Sequence, residues 1–269
     1  MKFFTKSVVF AAAFAGTLLC AAEVYNLIDQ KTISAVIGKK VTFAENQISH
    51  TGKAFLFGKT KYDIDPAKKY TFKYTIVNNS DKTAVVYGGI NVFNEKGATY
   101  PIWAWQANKN AFTEVVADAK KGDTQVRVKN AKNWITNSSV CVVAGAKNDF
   151  SDIPNNKKVI DKIDKCTQDG DAWVLTLAAP LKTDIAAGTA LRQHYNGGYF
   201  YFLKSSPARV LPGKTVEVSA VLQGYSDAPA RFNGKNWPFN SKKFIFLLLS
   251  DYSDSKADII IKDATVTVE

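Results

Sequence analysis

Two residue classes in this 269-residue chain could do chemistry by type and spacing: aromatic rings set beside amides and cations, and carboxylates. The aromatics form the sharper pattern. Trp103 and Trp105 stand two apart in Tyr100-Pro-Ile-Trp-Ala-Trp, a spacing that points both rings to one side of an extended chain. Trp237 lies in Arg231-Phe-Asn-Gly-Lys-Asn-Trp-Pro-Phe-Asn, where a cation (Arg231), two amides (Asn233, Asn236) and an indole fall within one Gly- and Asn-rich loop. Tyr87 shares a face of the run Val85 to Phe93 with Asn91. Sugar rings carry apolar C–H faces that stack on flat aromatic rings, while amides and cations bond the hydroxyls. Trp237, Arg231, Asn233, Asn236, Trp103, Trp105 and Tyr87 are therefore the expected ligand-binding set. A Trp-x-Trp pair is also a common core element, and Trp134 and Trp173 are read as core.

Catalytic chemistry finds little to work with, and no catalytic residue is assigned. The chain has two histidines, His50 and His194, with no Gly-x-Ser-x-Gly turn and no reactive-cysteine context. Two histidines and two cysteines at these positions match no zinc spacing. Glycoside hydrolysis needs two carboxylates across a cleft. Twenty-four acidic residues guarantee that some pair would fit, so their presence is uninformative. The expectation is a non-enzyme, with a carbohydrate-active hydrolase or lyase as the lesser alternative.

Stepping outward, the N-terminus predicts export. Lys2 and Lys6 precede an uncharged apolar run, Val8 to Leu19, and Cys20-Ala21-Ala22 suits cleavage before Glu23. Residues 1–22 are read as a signal peptide, placing the mature chain in the secreted, periplasmic or cell-surface space. Lipid anchoring at Cys20 is the alternative, disfavoured by the bulky Leu19. The run is too short to span a bilayer, and no later segment is apolar enough for a transmembrane helix. The full chain carries a net charge of +11, two of it from Lys2 and Lys6. That balance suits anionic partners such as acidic polysaccharide, a charged envelope or released nucleic acid, but the favoured reading is that the lysines simply keep the surface soluble. The lysines are dispersed along the sequence without a concentrated basic stripe, and nucleic acid is not expected. In an oxidising compartment Cys141 and Cys166 form a candidate disulfide, worth ~3 kcal/mol by loop closure; two buried thiols are the alternative.

Strands must position these residues. Tyr70-Thr-Phe-Lys-Tyr-Thr-Ile-Val and Val216-Glu-Val-Ser-Ala-Val-Leu alternate, with Phe72, Tyr74, Ile76, Val216, Val218, Ala220 and Leu222 inward. Turn chemistry at Asn78-Asn-Ser-Asp, Asn94-Glu-Lys-Gly, Asp169-Gly-Asp, Asn196-Gly-Gly and Pro212-Gly separates further β-branched and aromatic runs. Many short strands with such turns indicate an all-β sandwich or barrel. Residues 112–119 read equally as a short helix or an opening strand.

Asn26-Leu27, Asp65-Pro-Ala-Lys-Lys-Tyr-Thr-Phe72 and the closing Ile259-Ile-Ile-Lys-Asp-Ala-Thr-Val266 resemble secreted carbohydrate-binding modules of the galactose-binding-like jelly-roll type. Ala67 stands where that pattern has glycine, and Lys262-Asp263-Ala264 replaces its final acidic pair. The resemblance covers 23–106 and 195–269 and implies a jelly-roll β-sandwich. It also implies a structural Ca2+ near the first and last strands, with Asp263 as the matching ligand and Glu23 or Asn26 nearby. Residues 107–194 read as an inserted small β-barrel-like module. The resulting expectation is a secreted, non-catalytic polysaccharide-binding protein. A structural or adhesive cell-envelope protein with a protein partner is the alternative.

Overall fold

The computed structural model describes residues 22–28, 33–37, 41–229, 232–250 and 257–269. Residues 1–21, with Cys20 and almost all of the expected signal peptide, lie outside them. The chain first lays down β1 (Glu23–Asn26), β2 (Ile33–Ile37), β3 (Thr42–Ala44), β4 (Gln47–Thr51), β5 (Ala54–Gly58), β6 (Tyr62–Asp63), β7 (Tyr70–Asn78) and β8 (Ala84–Phe93). After a 3-10 turn at Ile102–Ala104 come β9 (Ala107–Glu114), β10 (Gln125–Val128), β11 (Val140–Ala144), β12 (Lys158–Ile160), β13 (Ile163–Asp169), β14 (Ala172–Leu177) and β15 (Ala190–Tyr195). It closes with β16 (Tyr201–Phe202), β17 (Ala208–Val210), β18 (Thr215–Leu222), β19 (Lys243–Ser250) and β20 (Asp258–Val268). Among the described residues there is no α-helix, and the protein is an all-β sandwich.

Strands from the two ends of the chain build two large antiparallel sheets. One runs β18-β7-β20-β4-β3, with β1 also on β20; the other runs β16-β8-β19-β5-β2, with β17 on β8 and β6 on β19. Their inner faces share one core. Period-two alternation selects it: Tyr70, Phe72, Tyr74 and Ile76 on β7 meet Phe244, Phe246 and Leu248 on β19. Rings dominate this layer, with Phe72 stacked on Phe246 at 6.2 Å between centroids and Tyr74 edge-on to Phe246 at 5.9 Å. Each such side chain stabilises the fold by roughly 1.5–3 kcal/mol through burial.

Strands β9 to β15 form two smaller sheets, β12-β11-β15-β9 and β10-β14-β13, around a second core that includes Val142, Leu191, Val126 and Leu175. Neither closes on itself, so the small module is a pair of packed sheets and not the barrel expected. A lone bridge between Val115 and Val128 joins them at one corner. The ambiguous stretch 112–119 is extended, continuing β9 into that bridge.

Cys141 and Cys166 are free thiols, a correction to the expected disulfide. They lie on different sheets, on β11 and β13. Val142 faces the small core, so alternation turns Cys141 to the opposite face of β11, while Cys166 packs against that core. Burial pushes the thiols up, to about 12 for Cys141 and about 11 for Cys166.

Candidate functional site

Loop composition misplaces the central aromatic residue. Trp237 is 0% exposed. Its backbone forms a parallel bridge with Tyr225, donating to Gly224 O (2.8 Å) and accepting from Ser226 N (2.9 Å), and this directs the indole into the sandwich core. There it meets Tyr70 edge-on at 4.9 Å and Phe244 at 5.0 Å. A ring enclosed in this way has no face to offer a sugar, so Trp237 is a core residue and not a ligand contact. The amides beside it turn the chain: Asn233 Oδ1 accepts from the backbone N–H of Lys235 and Asn236, and Asn236 Nδ2 donates to Gln223 O. Arg231 lies outside the described residues.

Trp105 is also core. The 3-10 turn at 102–104 breaks the two-residue alternation that would have aligned it with Trp103. Its Nε1 donates to Tyr201 Oη (2.9 Å), which donates onward to Tyr100 O (2.6 Å). Burial drives the Tyr201 phenol far above its usual range. Trp103 stays half-buried on the other side of the turn, with Lys158 Nζ 5.2 Å from its ring centre.

Asp263 is the residue matched above to a calcium ligand. It sits exposed at φ +54° in a bulge of β20, where its N–H donates to Asn46 O. Asn26 bonds Asn46 with its amide nitrogen and caps Ile28 N with its oxygen. Glu23 and Asn26 line a different depression, of about 780 Å³, whose acidic residues are engaged locally. Glu23 accepts from Tyr25 Oη, Asp63 from Lys243 Nζ, and Asp65 caps Ala67 N. Among the described residues no three His, Cys, Asp or Glu side chains gather as a metal set.

Accessible rings occur instead on the outer face of the seven-stranded sheet. Phe57, Phe55, Phe200, Phe202 and Tyr87 make a continuous strip, with successive centroids 4.2, 5.7, 4.8 and 5.2 Å apart. The strip overlies Ile245 and Leu247 of β19, whose neighbours Phe244 and Phe246 face inward. Gly89 makes room for it, because a Cβ there would lie 2.1 Å from the Phe200 ring. Tyr87 is the one member of the expected ligand set found on this strip, on the face that its strand alternation specified.

The strip ends at a cleft of about 830 Å³ between the sandwich and the inserted sheets. Tyr199, Phe200, Phe202 and Phe232 supply rings to it; Gln106, Asn196 and Asn233 supply amides; Lys204 supplies a cation. Tyr199 is 49% exposed and Phe202 45%. No Asp, Glu, His or Cys is among the described residues that line it. Such a site can stack and hydrogen-bond a polar ring compound. Tyr199, Phe200 and Phe202 were not singled out in the sequence. The available signal was the uninterrupted aromatic run Tyr199-Phe-Tyr-Phe202 directly after Asn196-Gly-Gly.

One cleft wall is fastened from behind by a buried network. Ile102 lines the cleft, and the carbonyls of Trp103 and Ala104 accept from His194 Nδ1 (2.6 Å) and Asn155 N (2.7 Å). Arg192, 1% exposed, forms an ion pair with Asp152 at 2.7 Å and donates from Nε to His194 Nε2 at 3.0 Å. Because a guanidinium only donates, Nε2 must accept, which makes His194 neutral with its proton on Nδ1. Burial first, then the Arg192 charge, pulls His194 down to about 4.

No family model matches the chain, and no curated protein matches it. Solved structures that match include infectious bursal disease virus Gt strain (10% identity, TM-score 0.17, covering 97% of this chain and 44% of that one). The Gx strain gives 9% identity and a TM-score of 0.18 over 92% of this chain and 41% of the other. The VP2 subviral particle of the same virus gives 8% and 0.16 over 97% and 45%. The chain thus spans less than half the length of these structures, and TM-scores this low do not establish a common topology.

Proposed function

We propose that the protein is an exported, non-catalytic polysaccharide-binding protein, with the sandwich as a carbohydrate-binding module of jelly-roll type and residues 107–194 as an inserted second module. The observation that carries this reading is the strip of contiguous rings, half-buried except for the exposed Phe202, running into a cleft lined by amides and a lysine but, among the described residues, by no carboxylate. A chain of sugar rings lays its C–H faces along the strip, each stacking contact contributing on the order of 1 kcal/mol. Asn196 and Asn233, exposed and each keeping one amide N–H beyond its turn hydrogen bonds, bond the hydroxyls of the residue in the cleft. The rings rest on a packed sheet, so little conformational entropy is lost on binding.

A glycan array probed with residues 23–269 and with the Tyr199→Ala/Phe202→Ala variant tests this. The expected result is a set of wild-type hits that the variant loses at unchanged melting temperature. A blank array from folded wild-type protein overturns the reading. It would favour a cell-envelope protein with a protein partner, since the same exposed apolar strip would accept apolar side chains.

A further inference from the structure

We infer that the glycan is anionic and that Lys204 and Lys235 hold its carboxylate or sulfate groups; this rests on the polysaccharide reading above. Gly234 forces the two lysines together. Its φ is +71°, and a Cβ there would lie 2.6 Å from Lys204 N and 2.8 Å from Lys204 Cα, so glycine alone lets this loop seat on the Lys204 backbone. The Asn233 side chain then caps the N–H of Lys235 at 2.8 Å and fixes the next residue of the turn. Lys204 and Lys235 both line one depression of about 840 Å³, together with Ser205, Ser219, Gln223 and Asn236.

Like charges held side by side are unfavourable unless an anion offsets them. Among the described residues, neither lysine forms an ion pair, and no Asp or Glu lines this depression or the aromatic cleft. The neighbouring Lys235 side chain holds Lys204 below the usual lysine range. Ser205 Oγ is buried at the edge of the same depression with no partner among the described residues, which leaves its hydroxyl free to donate. Lys204 lines both the depression and the cleft, so an anionic group held here continues a chain stacked at Tyr199 and Phe202. Neutral chains would gain the stacking and leave the ammonium pair uncompensated.

The test is an array of paired glycans (sulfated, uronate-containing and neutral versions of the same backbones). It is read with the wild-type chain, Lys204→Gln/Lys235→Gln, and a charge-matched control, Lys121→Gln/Lys132→Gln, at exposed positions of the insert. Acidic hits at least ~10-fold stronger than their neutral partners, lost in the first variant and kept in the control, support the site. Selectivity for sulfate over uronate, or the reverse, identifies which anion is held. Equal binding of acidic and neutral partners, or selectivity that survives Lys204→Gln/Lys235→Gln, overturns the anionic inference and leaves the polysaccharide reading standing. A blank array overturns both.

Discussion

The two faces of the seven-stranded sheet carry aromatic rings in similar number and to opposite ends. On the inner face Phe244 and Phe246 lock against Tyr70, Phe72 and Trp237, and these rings are spent on holding two sheets together. On the outer face Tyr87, Phe55, Phe57, Phe200 and Phe202 touch one another and, among the described residues, belong to no sandwich core. One residue of offset along β19 separates Phe246, in the core, from Leu247, beneath the strip. Whether a ring is core or ligand platform is decided by strand parity and by what lies over it, not by the polarity of neighbouring residues in sequence.

That contrast can be broken most forcefully at Trp237. Trp237→Ala removes a fully buried indole and should destabilise the protein by about 3–5 kcal/mol in denaturant unfolding. Glycan affinity of the fraction that remains folded should be unchanged. A variant that unfolds normally but loses binding would return Trp237 to the ligand site.

Of similar size is Asp152→Ala, which strands the buried Arg192 guanidinium and should cost about 3–5 kcal/mol by the same measurement. Asp152→Asn, retaining the shape, should cost less.

The pH dependence follows from His194. Native His194 titrates near 4 while an unfolded histidine titrates near 6.5, so between these values the unfolded state binds more protons. This contribution is fully present above pH ~6.5 and falls as pH drops toward 4, by about 3 kcal/mol in all. Asp152, whose carboxylate is held below its usual range by Asn155 and Arg192 against the opposing effect of burial, adds its own loss only at lower pH. Urea unfolding at pH 7 and pH 4.5 should show the decline in wild type and a much flatter response in His194→Gln. An equal decline in both would remove His194 as its source.

Phe202→Ala sharpens the comparison from the other side. It should change stability by less than ~1 kcal/mol, because the ring is half-exposed, yet weaken glycan binding at least ~10-fold. Smallest of all is the effect of reductant. With Cys141 and Cys166 unbonded, added dithiothreitol should leave the melting temperature unchanged.

Parity along a single strand was legible in the sequence. The alternation of β7 and β18 identified Phe72, Tyr74, Ile76, Val216, Val218, Ala220 and Leu222 as inward; all are buried except Val216, which is half-buried against the same core. Tyr87 and Asn91 share the outer face of β8 by the same logic. Side-chain direction in irregular chain was not legible. The Asn- and Gly-rich setting of Trp237 reports a backbone that turns; the indole's destination depends on a bridge to Tyr225, set by the packing of two distant segments. The Trp103–Trp105 spacing failed because three residues of 3-10 turn replaced an extended chain. The cysteines failed similarly: both lie on strands, but which face each presents depends on which residue meets the small core. The aromatic cleft was hidden for a further reason. It requires Phe200 to lie on Gly89, a contact across more than a hundred residues that no local pattern announces.

The most direct test of the claim that the outer-face rings are the binding surface is an aromatic 13C NMR titration of the labelled chain with the strongest glycan from the array. Resonances of Tyr87, Phe200 and Phe202 should shift progressively with ligand while the Trp237 indole stays in place. Movement of Trp237 with the outer rings unmoved would contradict the account.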